Sequence, residues 1–283
     1  ATQPLDNIVP LYRPPGTDQI VTQWDGPTCE KVGLLKMDFL GLKNLSAIER
    51  AKRLIRESLD EQTVWDTVNS VKTSEPCEVA NGTDKIGNRE SEIENQLDPL
   101  DLDRLSFDDQ TVLDLFRRGE TANVFQFESG GMRNVLLGMK PDAIEDLIAA
   151  NALYRPGPME LIPDYNNRKH GLKPAPTVHP IVDKHTADTH GIMVYQEQVM
   201  QIVHELGDIP LGTAYSLIKA ISKKKKDVID AMRPRFLDGA ESQGLSRNDA
   251  EQLFDLIVKF SGYGFNKSHS TGYAIIAYQT AYL

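Results

Sequence analysis

Gly262-Tyr263-Gly264-Phe265-Asn266-Lys267-Ser268-His269-Ser270 interrupts two apolar stretches of helical spacing. Upstream, Ser246-Arg247-Asn248-Asp249 reads as a helix cap, and Leu253, Phe254, Ile257 and Val258 fall on one face. Downstream the chain reads as helix again, through Tyr282-Leu283, without a capping signal. The segment between them sets two glycines, an amide, an ammonium, an imidazole and two hydroxyls into one turn. Glycines let the backbone approach a ligand and take up positive φ. Ser268 or Ser270 is expected to cap the second helix, whose free N–H groups and positive dipole end favour an anion, and Lys267 adds a full charge. This chemistry suits a phosphate-bearing ligand; the bland alternative is an ordinary capped loop.

Working outward, helical periodicity dominates. Val199, Ile202, Val203 and Leu206 form one stripe over Glu197–Leu206. A helix is expected from about Pro141 to Leu153, stopped by Arg155-Pro156-Gly157-Pro158. Ser106-Phe107-Asp108-Asp109 reads as a capping box ahead of Val112, Leu113 and Phe116. Ser46-Ala47-Ile48-Glu49 reads as another, starting a helix whose Leu45, Ile48, Ala51, Ile55 and Leu59 share a face. Residues 60–98 are expected to be a flexible, acidic, solvated insertion. In residues 1–43, prolines 4, 10, 14, 15 and 27 point to β and loop. Val32–Leu40 is an apolar run of strand length that would set Lys36 and Asp38 on one face. The expected fold is mainly α with a small N-terminal α+β piece, divided into 1–43 and 44–283.

The chain has 283 residues and a net charge of −10. That total would argue against a polyanionic partner, but the acids are clustered. Residues 57–110 hold 15 Asp/Glu against 4 Lys/Arg, which leaves 26 acids and 27 bases elsewhere. Leu217 to Arg235 carries seven bases and two acids, and local patches rather than totals steer polyanions. Lys219 and Lys223 are read as sharing one face of a helix that runs on to Lys226, and the tetralysine 223–226 as either solvated or attracting phosphates. Cys29 and Cys77 are the only cysteines and lack metal-site spacing, so a reducing, cytoplasmic setting is expected. No apolar run has the length of a membrane span. Both ends are expected to be cut from a longer protein.

Lys36 and Asp38 have two readings. A carboxylate on an apolar strand is paired in a salt bridge, or it holds Mg²⁺ beside a phosphate-facing lysine. The six histidines form no H-x-x-x-H with a nearby carboxylate. Neither G-x-x-x-x-G-K-[ST] nor G-x-S-x-G occurs, which excludes a P-loop and a nucleophile elbow.

Five segments taken together carry a resemblance. They are Gly33–Leu42, Val124–Met132, Leu153–Pro158, Val194–Met200 and Gly262–Ser270. In this order they resemble the bacterial C-family replicative DNA polymerases, the DNA polymerase III alpha subunit family. The likeness covers nearly the whole chain except about residues 60–98.

The resemblance implies a polymerase-beta-like palm end over residues 1–43 and helical fingers over 44–283. It implies Asp38 as a catalytic, metal-binding aspartate and Lys36 as a basic residue near the triphosphate. It implies Lys219, Lys223, Asn266, Lys267, Ser268 and His269 as the surface over the incoming nucleotide, with Arg155 in the same domain. Primer-template DNA, deoxynucleoside triphosphates, two Mg²⁺ ions and replisome partners such as a sliding clamp follow, with no membrane. Two-metal phosphoryl transfer to a primer 3′-OH would be the reaction. The chain departs from the family at two points. The upstream P-D-x-D-x-D-F is not present, so the chain alone is expected to be inactive. Ile218-Lys219-Ala220-Ile221-Ser222-Lys223-Lys224 stands where the family often has R-R-A-M-G-K-K, which keeps charge but loses the bidentate fork. The rival readings are a non-catalytic nucleic-acid- or nucleotide-binding module and a helical scaffold.

Overall fold

The computed structural model describes residues 3–37, 41–60, 62–64 and 100–283. The chain divides into two compact units, Ala1–Lys43 and Asn44–Leu283.

In the first unit, β1 (Leu11–Tyr12) and β2 (Val21–Thr22) pair antiparallel, with Leu11 opposite Thr22 and Tyr12 opposite Val21. A short helix, α1 (Gly26–Lys31), follows where only β and loop was expected. The Asp25 carboxylate accepts the Thr28 N–H at 3.0 Å, and Pro27 sits in the first turn, where a missing N–H is harmless. The expected strand over Val32–Leu40 is not formed at residues 32–37, which are turn and irregular backbone. Gly33, at φ 84°, instead ends α1, and Leu34 N–H returns to the Cys29 carbonyl at 3.1 Å. The shared face of Lys36 and Asp38 therefore has no strand under Lys36. Asp38 and the acidic stretch from 65 to 99, Cys77 included, lie outside the described residues.

The second unit is helical. Its elements are α2 (Lys43–Ser58), α3 (Gln110–Arg117), α4 (Gly130–Met139), α5 (Ile144–Leu153), α6 (Ile162–Lys169), α7 (Pro180–Thr186), α8 (Gln196–Glu205), α9 (Leu211–Ser222), α10 (Lys226–Ser242), α11 (Arg247–Ser261) and α12 (Lys267–Tyr282). No helix among the described residues is long and apolar enough to cross a membrane. α2 begins ahead of the expected Ser46, and Glu49 pairs with Lys52 at 3.4 Å instead of closing a capping box. Of its apolar stripe only Ile48 is buried, while Leu45 and Leu59 are exposed. α3 is capped by Asp109, which accepts the Thr111 N–H at 2.7 Å, and the Ser106 hydroxyl donates to Asp108 instead. α11 is capped by Ser246 as its sequence predicts.

Two hydrophobic clusters form. Phe116, Phe127, Leu136, Leu147 and Tyr278 centre the one built by α3–α6 and α12. Val199, Ile202, Phe236, Phe254 and Ile257 centre the one built by α7–α11. α12 lies chiefly on α5. Three polar groups tie it to residues far away in sequence. Ser270 Oγ donates to the Ile148 carbonyl at 2.6 Å, Gln279 Nε2 to the Leu102 carbonyl at 3.2 Å, and Tyr278 Oη accepts the Asp109 N–H at 2.9 Å. Burial pushes the Tyr278 phenol up to about 12.

A charged group is also buried between α5 and α6. Lys169 Nζ donates to Asp142 at 2.6 Å and to Asp146 at 2.8 Å, and Asp146 also accepts the Tyr165 hydroxyl at 3.1 Å. The side chains of Lys169 and Asp146 are only 7% and 5% exposed. The Lys169 hydrogen bond holds the Asp142 carboxyl below its ordinary 3.8. Burial pulls Lys169 down, but its hydrogen bonds to both carboxylates, with their charge, outweigh it and leave the ammonium above 10.5. The Asp142 contribution to stability is present above about pH 4 and is lost as pH falls through the lowered native value. The Lys169 contribution is present below about pH 10 and is lost as pH rises through the raised native value. Lys169→Met is expected to destabilise the chain by about 3 kcal/mol or more at neutral pH, because Asp146 is left buried without its cation. Urea unfolding measures this, and the gap to the parent chain should narrow below pH 4. A variant as stable as its parent at pH 7 would count against the buried pair.

Candidate functional site

The turn between α11 and α12 is built differently from its sequence reading. Asn266 caps α12, its Oδ1 accepting the His269 N–H at 2.8 Å. It stands immediately before the first helical residue in extended conformation, where a short side-chain oxygen meets the N–H groups of the first turn. Ser270 is buried on the Ile148 carbonyl, and Ser268 is exposed. The positive end of the helix already meets a carboxylate of the same chain. Glu197 on α8 accepts the Lys267 N–H at 2.9 Å with Oε2 and Asn266 Nδ2 at 2.8 Å with Oε1.

The turn is joined to the residues ahead of α8. Tyr195 and Phe265 form a parallel bridge, with Gln196 N–H on the Phe265 carbonyl at 2.9 Å. Gln196 Nε2 donates to the Gly264 carbonyl at 2.9 Å. Gln198 holds this extended piece in place. Its Oε1 accepts the N–H groups of Val194 at 2.8 Å and Tyr195 at 2.9 Å, while Nε2 donates to Thr189 Oγ1 at 2.8 Å. The Tyr263 ring covers Gly157, which has φ 104°, and a Cβ there would lie 2.5 Å from the ring. Gly157 is thus needed both for its backbone and for its missing side chain. A Cβ on Gly131 would collide with the Tyr154 hydroxyl. Four segments distant in sequence, at 124–132, 153–158, 194–198 and 262–270, are thereby gathered.

A cleft of about 630 Å³ opens among the first two and the last of these, while 194–198 lies outside its lining. A ladder of rings crosses it. Phe125 stands 5.1 Å from Tyr273, Tyr273 stands 4.3 Å from His269, and His269 stands 5.5 Å from Phe265. The Arg155 guanidinium lies over Phe265 at 4.0 Å. Glu128, Ser129 and Asn151 add polar wall, and the buried Asn151 Nδ2 has no hydrogen-bond partner among the described residues. Ring faces accept another planar ring, and a stacked guanidinium keeps its N–H edges for an anion.

Arg155 and His269 therefore share the cleft. Lys267 does not line it: its ammonium lies 3.7 Å from Asp188 and 5.3 Å from the centre of the Tyr195 ring. Lys219 and Lys223 lie at the end of α9, Lys219 4.8 Å from the Tyr215 ring centre. The expected continuous helix from Lys219 to Lys226 is broken. α9 stops at Ser222, Lys224 is left-handed at φ 54°, and α10 starts at Lys226. The lysines turn a corner at the carbonyl end of α9, which favours cations. Ser222 Oγ donates to the Ser261 carbonyl at 3.3 Å, which brings this corner beside the start of the turn at 262. In the first unit, the stem of Lys36 lies against Gly26. Among the described residues, no three His, Cys, Asp or Glu side chains form a metal-sized group. Sequence reading gave no role to Phe125 or Glu197 and passed over Asn151 and Tyr273. The spacing of His269 and Tyr273, one helical turn apart, is the signal that could have found the ladder.

This arrangement is that of a helical fingers-type domain with an aromatic, arginine-bearing cleft. The family model described as the bacterial DNA polymerase III alpha subunit finger domain matches residues 83–244. The one described as the bacterial DNA polymerase III alpha NTPase domain matches residues 1–41. The DNA polymerase III subunit alpha of Thermus aquaticus is 39% identical over 292 residues, covering 100% of this chain and 20% of that protein. Those of Saccharopolyspora erythraea and Bacillus subtilis are each 39% identical, covering 100% and 99% of this chain and 21% and 22% of those proteins. The chain belongs to the bacterial DNA polymerase III alpha subunit family, and it spans about a fifth of the length of these relatives.

Gly157→Ala is expected to destabilise the chain by about 1–3 kcal/mol through positive φ and the collision with Tyr263. Tyr263→Ala in the same background should recover part of that loss by opening the space. Denaturant unfolding of the three proteins measures both effects, and an unaffected single variant would show that the ring contact is dispensable.

Proposed function

We propose that the cleft takes an incoming deoxynucleoside triphosphate, and that this chain supplies the helical fingers (44–283) and the last part of the palm (1–43) of a DNA-directed DNA polymerase. The observation that carries the reading is the meeting of Arg155, Phe265, His269 and Tyr273 in one cleft. His269 and Tyr273 would receive the flat face of the base, since stacking tolerates every base. Sequence choice would then rest on pairing with the template. Arg155 would present its N–H fork to phosphate oxygens. The corner at Lys219 and Lys223 adds positive potential that steers a polyphosphate towards the turn.

The metal belongs to the same proposal. Asp38 falls inside the 1–41 match and is proposed as a Mg²⁺ ligand, with Lys36 near the phosphates. Two bound Mg²⁺ ions would neutralise developing charge on the transferred phosphoryl group. One aspartate does not hold two ions, so this chain by itself is expected not to extend a primer. Primer-template DNA and replisome partners such as a sliding clamp are proposed for the whole polymerase, to which the relatives' remaining length would contribute.

Titration of the chain with a deoxynucleoside triphosphate, followed by calorimetry, tests the site. Arg155→Ala and His269→Ala are each expected to raise Kd about tenfold, the scale of a lost charge-assisted hydrogen bond or stacking face. Affinity should fall as KCl rises. Parental affinity in both variants would remove the cleft from nucleotide binding.

A further inference from the structure

We infer that Glu197 is a positioning residue, a carboxylate latch that fixes the first turn of α12 so that His269 and Phe265 face the cleft. This deepens the nucleotide-site reading and rests on it for its functional arm. Two donors converge on Glu197, Asn266 Nδ2 at 2.8 Å and Lys267 N–H at 2.9 Å. Asn266 cannot turn its amide over, because Oδ1 already takes the His269 N–H at 2.8 Å. Position 197 thus needs a group that accepts twice and donates nothing, which only an ionised carboxylate does at this length. Glutamine would set an NH₂ against the NH₂ of Asn266.

The neighbouring charges fit this role. The Lys267 ammonium is turned to Asp188, 3.7 Å away, and to the Tyr195 ring. No lysine therefore competes for Glu197 among the described contacts. Ser270, one position after His269, is fixed on the Ile148 carbonyl at 2.6 Å. His269 thus sits between two anchors, the latch on the turn and the hydroxyl on α5. The latch also fills the helix N-terminus with an internal anion, which leaves a phosphate to be met by Arg155 rather than by the N–H groups of α12.

A charge relocation tests the latch. Glu197→Gln removes the double acceptor, and Asn266→Asp faces one carboxylate with another. The double variant carries the carboxylate at position 266 and the amide at position 197. That carboxylate can accept from His269 N–H and from the relocated amide, whose own oxygen accepts from Lys267 N–H. Each single variant is expected to lower hydrogen-exchange protection of the Lys267 amide, and to raise the Kd for a deoxynucleoside triphosphate, by about tenfold. The double variant should return both to within about threefold of the parent, the non-additive signature of a direct pair. A double variant no better than the poorer single one overturns the latch. Restored exchange with a Kd that neither single variant changed overturns the positioning role. If the parent chain binds no nucleotide, the cleft reading fails by itself and amide exchange still decides the latch.

Discussion

Everything at the cleft depends on how α12 is seated. Its apolar and polar residues are mixed around the helix, so its direction is not fixed by one hydrophobic stripe. Buried polar contacts set its height and rotation. Ser270 on the Ile148 carbonyl and Tyr278 on the Asp109 N–H are separated by two turns of helix, and each would leave a buried group unpaired if α12 slid. A slide of one residue would also carry Tyr273, and His269 with it, away from the Phe125 ring on the far wall of the cleft. The seating of one helix thereby sets the geometry of residues drawn from several other parts of the chain.

The charge balance follows the same logic of placement over totals. A chain of net charge −10 still presents a cleft with an arginine stacked on a ring and a lysine corner beside the turn. Two acidic groups near the turn are committed to internal partners, while Glu128 stays on the cleft wall. Glu197 is spent on two donors at the start of α12, and Asp188 faces Lys267. The buried Lys169 with Asp142 and Asp146 shows a different use of charge. There it locks α6 to the start of α5, where an unmatched partner would be severely destabilising.

Much of the helical body is legible from spacing. The stripe in α8, the Ser246 cap of α11 and the apolar face of α3 follow from local periodicity and local hydrogen bonding, which the sequence carries directly. The misread caps share one cause. Ser106, Ser268 and Ser270 have the right chemistry, but Asp109 and Asn266 stand immediately before the first helical residue, and Ser270 finds a deeper partner. The tetralysine reads as continuous helix because lysine tolerates helix. The chain breaks there because α9 must stop for α10 to fold back on it. Val32–Leu40 has the apolarity of a strand, yet residues 32–37 have no strand partner among the described residues.

The sequence by itself determined the helical class of the chain, its family and the presence of Arg155 and His269 as candidates for a phosphate-bearing ligand. These rest on spacing and on motif order, which survive without coordinates. Only the tertiary structure decided which candidates meet. Arg155 and His269 lie 114 positions apart in the chain, and packing of α12 on α5 brings them to one cleft while Lys267 is turned towards Asp188. Side-chain direction around a helix is set by what the other elements offer, and no local rule in the sequence encodes that choice.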